Sequence, residues 1–480
     1  MLRLILAEQE VNMKTKRTLI AIMLLMSLVS IHSQEEFPVF QANGIKVGEV
    51  SQSSAIVWTR LTQSAERKSG GVEWKESPGI PEGHRLEEMQ DSVTGAPGEI
   101  RISWTGEGGG SGETEWLAVQ PGKDFTRQVR LDDLKPGETY RVEVQSRSPE
   151  GEPGQAVVGS FVTAPAEGNA SPVRFQVVTG QEFSRRDDAK KGHRIYQSML
   201  KQEPHFFVHT GDIVYYDFKR SNPKATNAEL ARFKWNRMYS LPFQRAFHNE
   251  VASYFIKDDH DTVKNDCWPE QSYGDLTWKQ GLEIFREQVP MGEKTYRTVR
   301  WGKDLQVWMI EGRDFRSPNT MKDGPEKTIW GREQKKWFFE TVKESDATFR
   351  ILISPTPIVG PDRGNKNDNH ANKGFTHEGN EIRNFLAEQE NLYVICGDRH
   401  WQYVSEDPET GVREYSCGPT SMAHAGGFSE EKRSSMHRYL KVQGGFLSVE
   451  IDRIENQAQA TFRHHGVDGE VHHTEVIKAQ

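Results

Sequence analysis

The sequence predicts two folded parts, an all-β sandwich followed by an α/β layered domain. Residues 37–166 carry short strands with alternating polarity, separated by Gly, Pro and Ser turns. From residue 173 onward, short apolar runs alternate with helix-length stretches, the pattern of strand–helix layering. The composition agrees: 480 residues with 35% hydrophobic content and 12 Trp suffice for two or three domains with buried cores. That content excludes a disordered chain, and a mean hydropathy of −0.72 with a single apolar run excludes a polytopic membrane protein. A formal net charge of −8 speaks against a surface given over to nucleic acid.

The single apolar run comes first. Met13-Lys14-Thr15-Lys16-Arg17 is a basic segment, residues 19–31 are apolar, and Ser33 and Gln34 follow. That layout predicts a secretory signal peptide within residues 1–33, starting at Met13 and too short for a stable membrane span. Export to the periplasm or the medium is the expectation. The three cysteines, Cys267, Cys396 and Cys417, include no C-x-x-C pair, which excludes a cysteine-built zinc site. Cys396 sits in an apolar run and is expected to be buried.

In the sandwich, residues 44–50 and 54–60 read as strands, the second with Trp58 at a core position. Leu134-Lys135-Pro136-Gly137-Glu138-Thr139-Tyr140 leads into the strand at 141–144 and resembles the tyrosine corner of fibronectin type III-like sandwiches. A last strand ends at 160–163, and residues 164–168 read as a linker. With no cluster of His, Cys or carboxylates, this part is expected to be structural or adhesive. In the second part, spanning 170–480, strands are expected at 174–178, 204–209, 253–256, 305–310, 349–353 and 393–396. Helices are expected at 193–202, 229–239, 333–344 and 378–388, and an antiparallel meander at 445–451, 459–465 and 470–477. His464-His465 and His472-His473 flank a turn in that meander and read as surface residues.

Three segments follow apolar strands and carry metal-binding residue types: Gly211-Asp212-Ile213-Val214-Tyr215, Asp258-Asp259-His260-Asp261 and Gly397-Asp398-Arg399-His400. A Gly before the Asp permits a tight turn that aims the carboxylate into the crevice at the strand ends. Carboxylates and imidazoles converging there suit hard or borderline divalent and trivalent cations. No Gly-x-Ser-x-Gly and no His-Glu-x-x-His occurs, which leaves serine-hydrolase and zinc-protease chemistry without a motif.

With these segments in order, the chain from about residue 44 onward resembles the alkaline phosphatase D-like branch of the calcineurin-type metallophosphoesterases. The resemblance implies an N-terminal sandwich and a four-layer αββα metallophosphoesterase domain with two metal ions. By it, Asp212 is the bridging carboxylate and Tyr215 a tyrosinate that favours ferric iron. Asp259, Asp398 and His400 are further ligands, and His260 is the catalytic residue that contacts phosphate, with Asn265 beside it at the substrate. Arg313 and Arg316 resemble a degraded Asp-x-Arg-x-x-Arg, with Arg313 expected to touch the oxyanion. The segments around Trp330, Gln334 and Trp337 and at residues 354–358 complete the match.

Two departures bear on chemistry. Gly180 stands where the family has an iron-binding cysteine, which weakens ferric preference. A polar, partly basic loop at 368–375 replaces an aromatic-rich one where the leaving group would lie. The implied activity is a secreted hydrolase of phosphate esters, acting on a small-molecule or saccharide-linked ester. Its two ions would be iron and/or calcium, with manganese or zinc as alternatives. A sulfate-ester hydrolase and a non-catalytic carbohydrate- or surface-binding protein remain the competing readings.

Overall fold

The computed structural model describes residues 38–75, 79–218 and 222–480; the expected signal peptide lies outside them. Two sheets form the sandwich. One joins Ile45–Gly48, Ala55–Arg60 and Thr126–Leu131; the other joins Ser111–Glu113, Glu99–Gly106, Thr139–Arg147 and Val157–Val162. The tyrosine corner is present: the Lys135 N–H donates to the Tyr140 hydroxyl at 2.8 Å.

The second part has two larger sheets. The first runs Ala252–Phe255, Phe206–His209, Val173–Val178, Gly445–Ile454, Gln457–Gly466 and Val471–Lys478, with its first three strands parallel. The second runs Arg297–Trp301, Leu305–Met309, Phe349–Ser354, Leu392–Cys396, Arg413–Cys417, Gln402–Glu406 and His437–Lys441, with a parallel centre. Strand alternation divides their apolar residues between two layers. Phe206, Val208, Val307, Met309, Ile351 and Ile353 pack between the sheets. Phe207 faces the helices Ile195–Leu200 and Pro242–Glu250 through Tyr196 and Phe247. Trp308 and Leu352 face Gly331–Glu344 and Thr376–Ala387 through Phe338, Ile382 and Phe385. The product is helix–sheet–sheet–helix, with strands buried on both faces, which is why they read as continuous apolar runs.

The expected linker at 164–168 is held in place. Ala164 is buried, its N–H donates to Ser51 O at 3.1 Å, and Pro165 O accepts from Gly302 N at 3.2 Å. The sandwich packs directly on the α/β layers. Trp58 is 1% exposed and donates its indole N–H to Glu287 O at 2.7 Å, while Lys46 Nζ lies 3.2 Å above its ring. Asn43 reaches Asn236 O at 2.7 Å, and Glu49 pairs with Arg297 at 2.7 Å. The first part is thus a buttress for the helix Trp278–Gln288 and the strand Ala252–Phe255. One expectation for the tail is corrected: His464 and His465 are buried at 0% and 3% exposure. His464 Nε2 meets Ser416 O at 3.0 Å and His465 Nε2 meets Ser448 Oγ at 2.8 Å, so they serve packing between strands.

Candidate active site

The three motifs occupy the carboxyl ends of parallel strands from both sheets, the place where open α/β folds bind ligands. Gly211 is required there by two facts: its φ is +111°, and a Cβ would lie 2.5 Å from Asp258 Cβ. Only glycine lets the first two motif loops approach so closely. At Gly397 a Cβ would lie 2.3 Å from Thr210 Oγ1, so the third loop likewise closes onto the first sheet. Asp212 and Asp398 themselves adopt left-handed backbone, φ +57° and +60°, which costs each about 1 kcal/mol or more and is held by the surrounding structure.

These turns gather the carboxylates. Oxygens of Asp212, Asp258 and Asp398 lie within 4.8 Å of one another, and so do ligand atoms of Asp212, Asp259 and His260. Oδ1 of Asp212 and Oδ2 of Asp258 are buried and accept no hydrogen bond from a described residue. A buried carboxylate oxygen without a donor is costly unless a cation faces it. Burial pushes Asp212 up to about 7, with His260 opposing and Asp259 adding, and burial pushes Asp258 up to about 7 against the pull of Arg313. This acceptor-rich set fits divalent or trivalent ions: Asp212, Tyr215, Asp259, Asp398 and His400, with Asp258 added, would hold them.

Tyr215 Oη donates to Asp212 Oδ2 at 2.8 Å and lies 3.1 Å from His400 Nε2 and 3.2 Å from His424 Nε2. His260 is fixed from behind, its Nδ1 at 2.5 Å from Asp217 Oδ1, while Asp217 Oδ2 accepts the Asn265 N–H at 2.8 Å. Burial alone would lower the His260 pKa, but Asp259, Asp212 and Asp217 outweigh it and push it up to about 10. Asp261 ties the loops together: its carboxylate accepts the N–H of Asp258 at 2.6 Å and of Ile213 at 2.9 Å.

The site opens into a cleft of about 630 Å³ whose lining includes Asp212, His260, Asn265, Asp398, His400 and His424. Arg185, Arg363 and Lys366 add positive charge to its walls, Lys366 paired there with Asp266 at 2.6 Å, and Trp401 is the one aromatic outside the histidines among the described lining residues. A second cleft of about 690 Å³ between sandwich and helices is lined by Arg127, Arg232, Arg286, Glu283 and Glu287, and Arg232 there pairs with Glu287 at 2.6 Å.

Two expectations are corrected. Arg313 does not line the cleft: it is fully buried, with Nε at 2.6 Å from Asp258 and Nη1 at 3.2 Å from Cys267 O. It holds the Asp258-Asp259 loop in place instead of touching the oxyanion. In the loop at 368–375, Asp368, Asn369 and His370 are buried, and His370 bonds Glu378 at 2.9 Å. The groups that face the cleft come from just before it: Arg363, Asn365 and Lys366. Asp258 and Asp261 belong to the second motif but had no role assigned, and Asp217, Arg185 and His424 lie outside the three motifs. Arg185 closes the short turn Phe183–Arg185 beyond the strand Val173–Val178 and His424 lies in an isolated turn, so neither carried a motif.

Sheet order, layering and the strand-end cluster together define a metallophosphoesterase fold. It superposes with a TM-score of 0.69 on a solved structure of PhoD, at 16% identity over 92% of this chain and 90% of that one. On the purple acid phosphatase PPD1 of yellow lupin seeds the TM-score is 0.60, at 11% identity over 90% and 74%. Within that class the profile of the PhoD-like phosphatases matches residues 175–450, more than half of the chain, and the chain belongs to that family. It is similar to alkaline phosphatase D of Bacillus subtilis (strain 168), 21% identical over 381 residues; the match spans 67% of this chain and 62% of that relative's length.

Proposed function

We propose that the chain is an exported hydrolase of phosphate esters that works with two metal ions. The observation that carries this is the meeting of Asp212, Asp258, Asp259, Asp398, His260 and His400 at one charged cleft. The ions supply charge neutralisation for the phosphoryl oxygens and lower the pKa of a water. The protein does the rest. Asp212 stands between both carboxylate groupings and is suited to bridge two cations. Asp217 accepts the Nδ1 proton of His260 and so turns Nε2 toward the cleft; as an imidazolium the ring can bind the phosphoryl group and hand its Nε2 proton to the leaving oxygen. Arg185 and Arg363 favour a polar or anionic leaving group, either a small molecule or a saccharide, while Lys366 is paired with Asp266 at 2.6 Å. The donor set of carboxylate, imidazole and phenol suits iron and calcium, with manganese or zinc as alternatives. The segment 13–34 supports export.

Metal content of the purified chain, with hydrolysis of aryl phosphate monoester, diester and sulfate substrates, tests this reading. Two ions per chain, and activity lost in Asp212→Ala and His260→Ala, are expected. Preference for the sulfate ester would select the sulfatase reading. A chain that stays inert after iron, calcium, manganese or zinc is added would leave surface or carbohydrate binding as the function.

A further inference from the structure

We infer that His424 is a metal ligand, completing the coordination of the ion held by Asp212, Tyr215 and His400. The inference rests on the proposed two-metal site and extends it to a residue outside the three motifs.

His424 belongs to the short turn Met422–His424 that follows Arg413–Cys417, far in sequence from Asp212 and Tyr215. It is 2% exposed, yet it lines the cleft. Its Nδ1 lies 3.1 Å from the carbonyl oxygen of Gly180, which can only accept, so Nδ1 carries the proton and Nε2 presents a lone pair. That lone pair points at Tyr215 Oη, 3.2 Å away. The phenol has a single proton, already donated to Asp212 Oδ2. Two acceptors, Asp212 Oδ2 and His424 Nε2, therefore compete for one donor, and His400 Nε2 crowds the same oxygen at 3.1 Å. A buried group of acceptors short of protons is resolved by a cation. An imidazole that gives its far N–H to a backbone carbonyl while its other nitrogen faces the ion is the usual arrangement of a ligating histidine.

Gly180 explains how the ring gets there. Its φ is +55°, and a Cβ built on it would lie 3.2 Å from His400 Nε2 and 3.3 Å from His424 Cε1. Any side chain at 180 would press on both rings. Without one, Gly180 supplies only its carbonyl to orient His424, and the imidazole approaches the position that a side chain at 180 would otherwise reach. The ion then gains a neutral nitrogen where a thiolate would bring charge, which favours divalent over trivalent cations.

The test is an anomalous difference map from wild-type crystals soaked in Zn²⁺ or Mn²⁺, with ion titration of chelator-treated wild type and His424→Ala. A peak about 2.1 Å from His424 Nε2 is expected. In the variant, one of the two ions should bind at least about tenfold more weakly while the other is unchanged. An ion bound to Asp212, Tyr215 and His400 with His424 Nε2 more than 3 Å away would overturn this inference and leave the two-metal hydrolase intact. Wild-type protein that binds no ion would overturn both.

Discussion

Asp261→Ala isolates what holds the first two motif loops together. The Asp261 side chain is fully buried and does not line the cleft, so it touches neither substrate nor water there. Its two oxygens accept the N–H groups of Asp258 and Ile213, one in each of the first two loops. Alanine leaves two buried N–H groups without a partner, at about 1–3 kcal/mol each. Loss of a buried anion near Asp212 and Asp258 offsets part of that, because burial and Asp212 already push the Asp261 pKa upward. A net destabilisation of about 3 kcal/mol follows. The functional effect is on ion affinity, which should fall by about 10–100-fold, the usual effect of losing a group that orients ligands. KM at saturating ion should be unchanged. Ion titration of the chelator-treated variant and substrate kinetics in excess ion measure the two effects separately, and Asp261→Asn, which keeps one acceptor, should fall between. Wild-type ion affinity in Asp261→Ala would refute the reasoning.

Asp217→Asn should lower kcat by about 100-fold, because His260 loses both its orientation and one of the charges that raise its pKa. The alkaline limb of its pH–rate profile should move to lower pH; an unmoved limb excludes His260 as the acid. Acid should destabilise the fold through Glu378. Burial opposes its ionisation, but hydrogen bonds from His370, Thr328 and the Ile329 N–H win and bring its pKa to about 2. A lowered folded pKa stabilises above the unfolded value of about 4.3 and is lost as pH falls toward 2. His370, whose pKa burial lowers, adds to the loss below about pH 6.5. Melting curves of wild type and Glu378→Gln should converge between pH 5 and 2, and a constant gap would rule this out. Trp58→Ala should cost about 3–5 kcal/mol. Because its indole joins the sandwich to the helix Trp278–Gln288, both parts should melt in one earlier transition, and two separate transitions would show that the buttress is dispensable.

The sequence by itself determined the layers and the three motifs. Strands such as Phe206–His209 and Phe349–Ser354 are buried on both faces, so they appear as unbroken apolar runs whatever packs on them. Asp212 and Asp398 follow glycines at strand ends, a local feature that marks a turn into the crevice. Tyr140 closes a corner five residues from its partner, again a local event. The rest depends on contacts between segments distant in the chain. Arg313 looked like a substrate contact, but Asp258 lies 55 residues away in the chain and draws its guanidinium into the interior, where an unpaired charge could not stay. Asp217 reaches His260 across 43 residues, and His424 reaches Tyr215 across 209. The loop at 368–375 turned inward because Glu378 offers His370 a buried partner. Local spacing records which residues leave a strand end together; only the closure of two sheets decides which of them meet at one cleft.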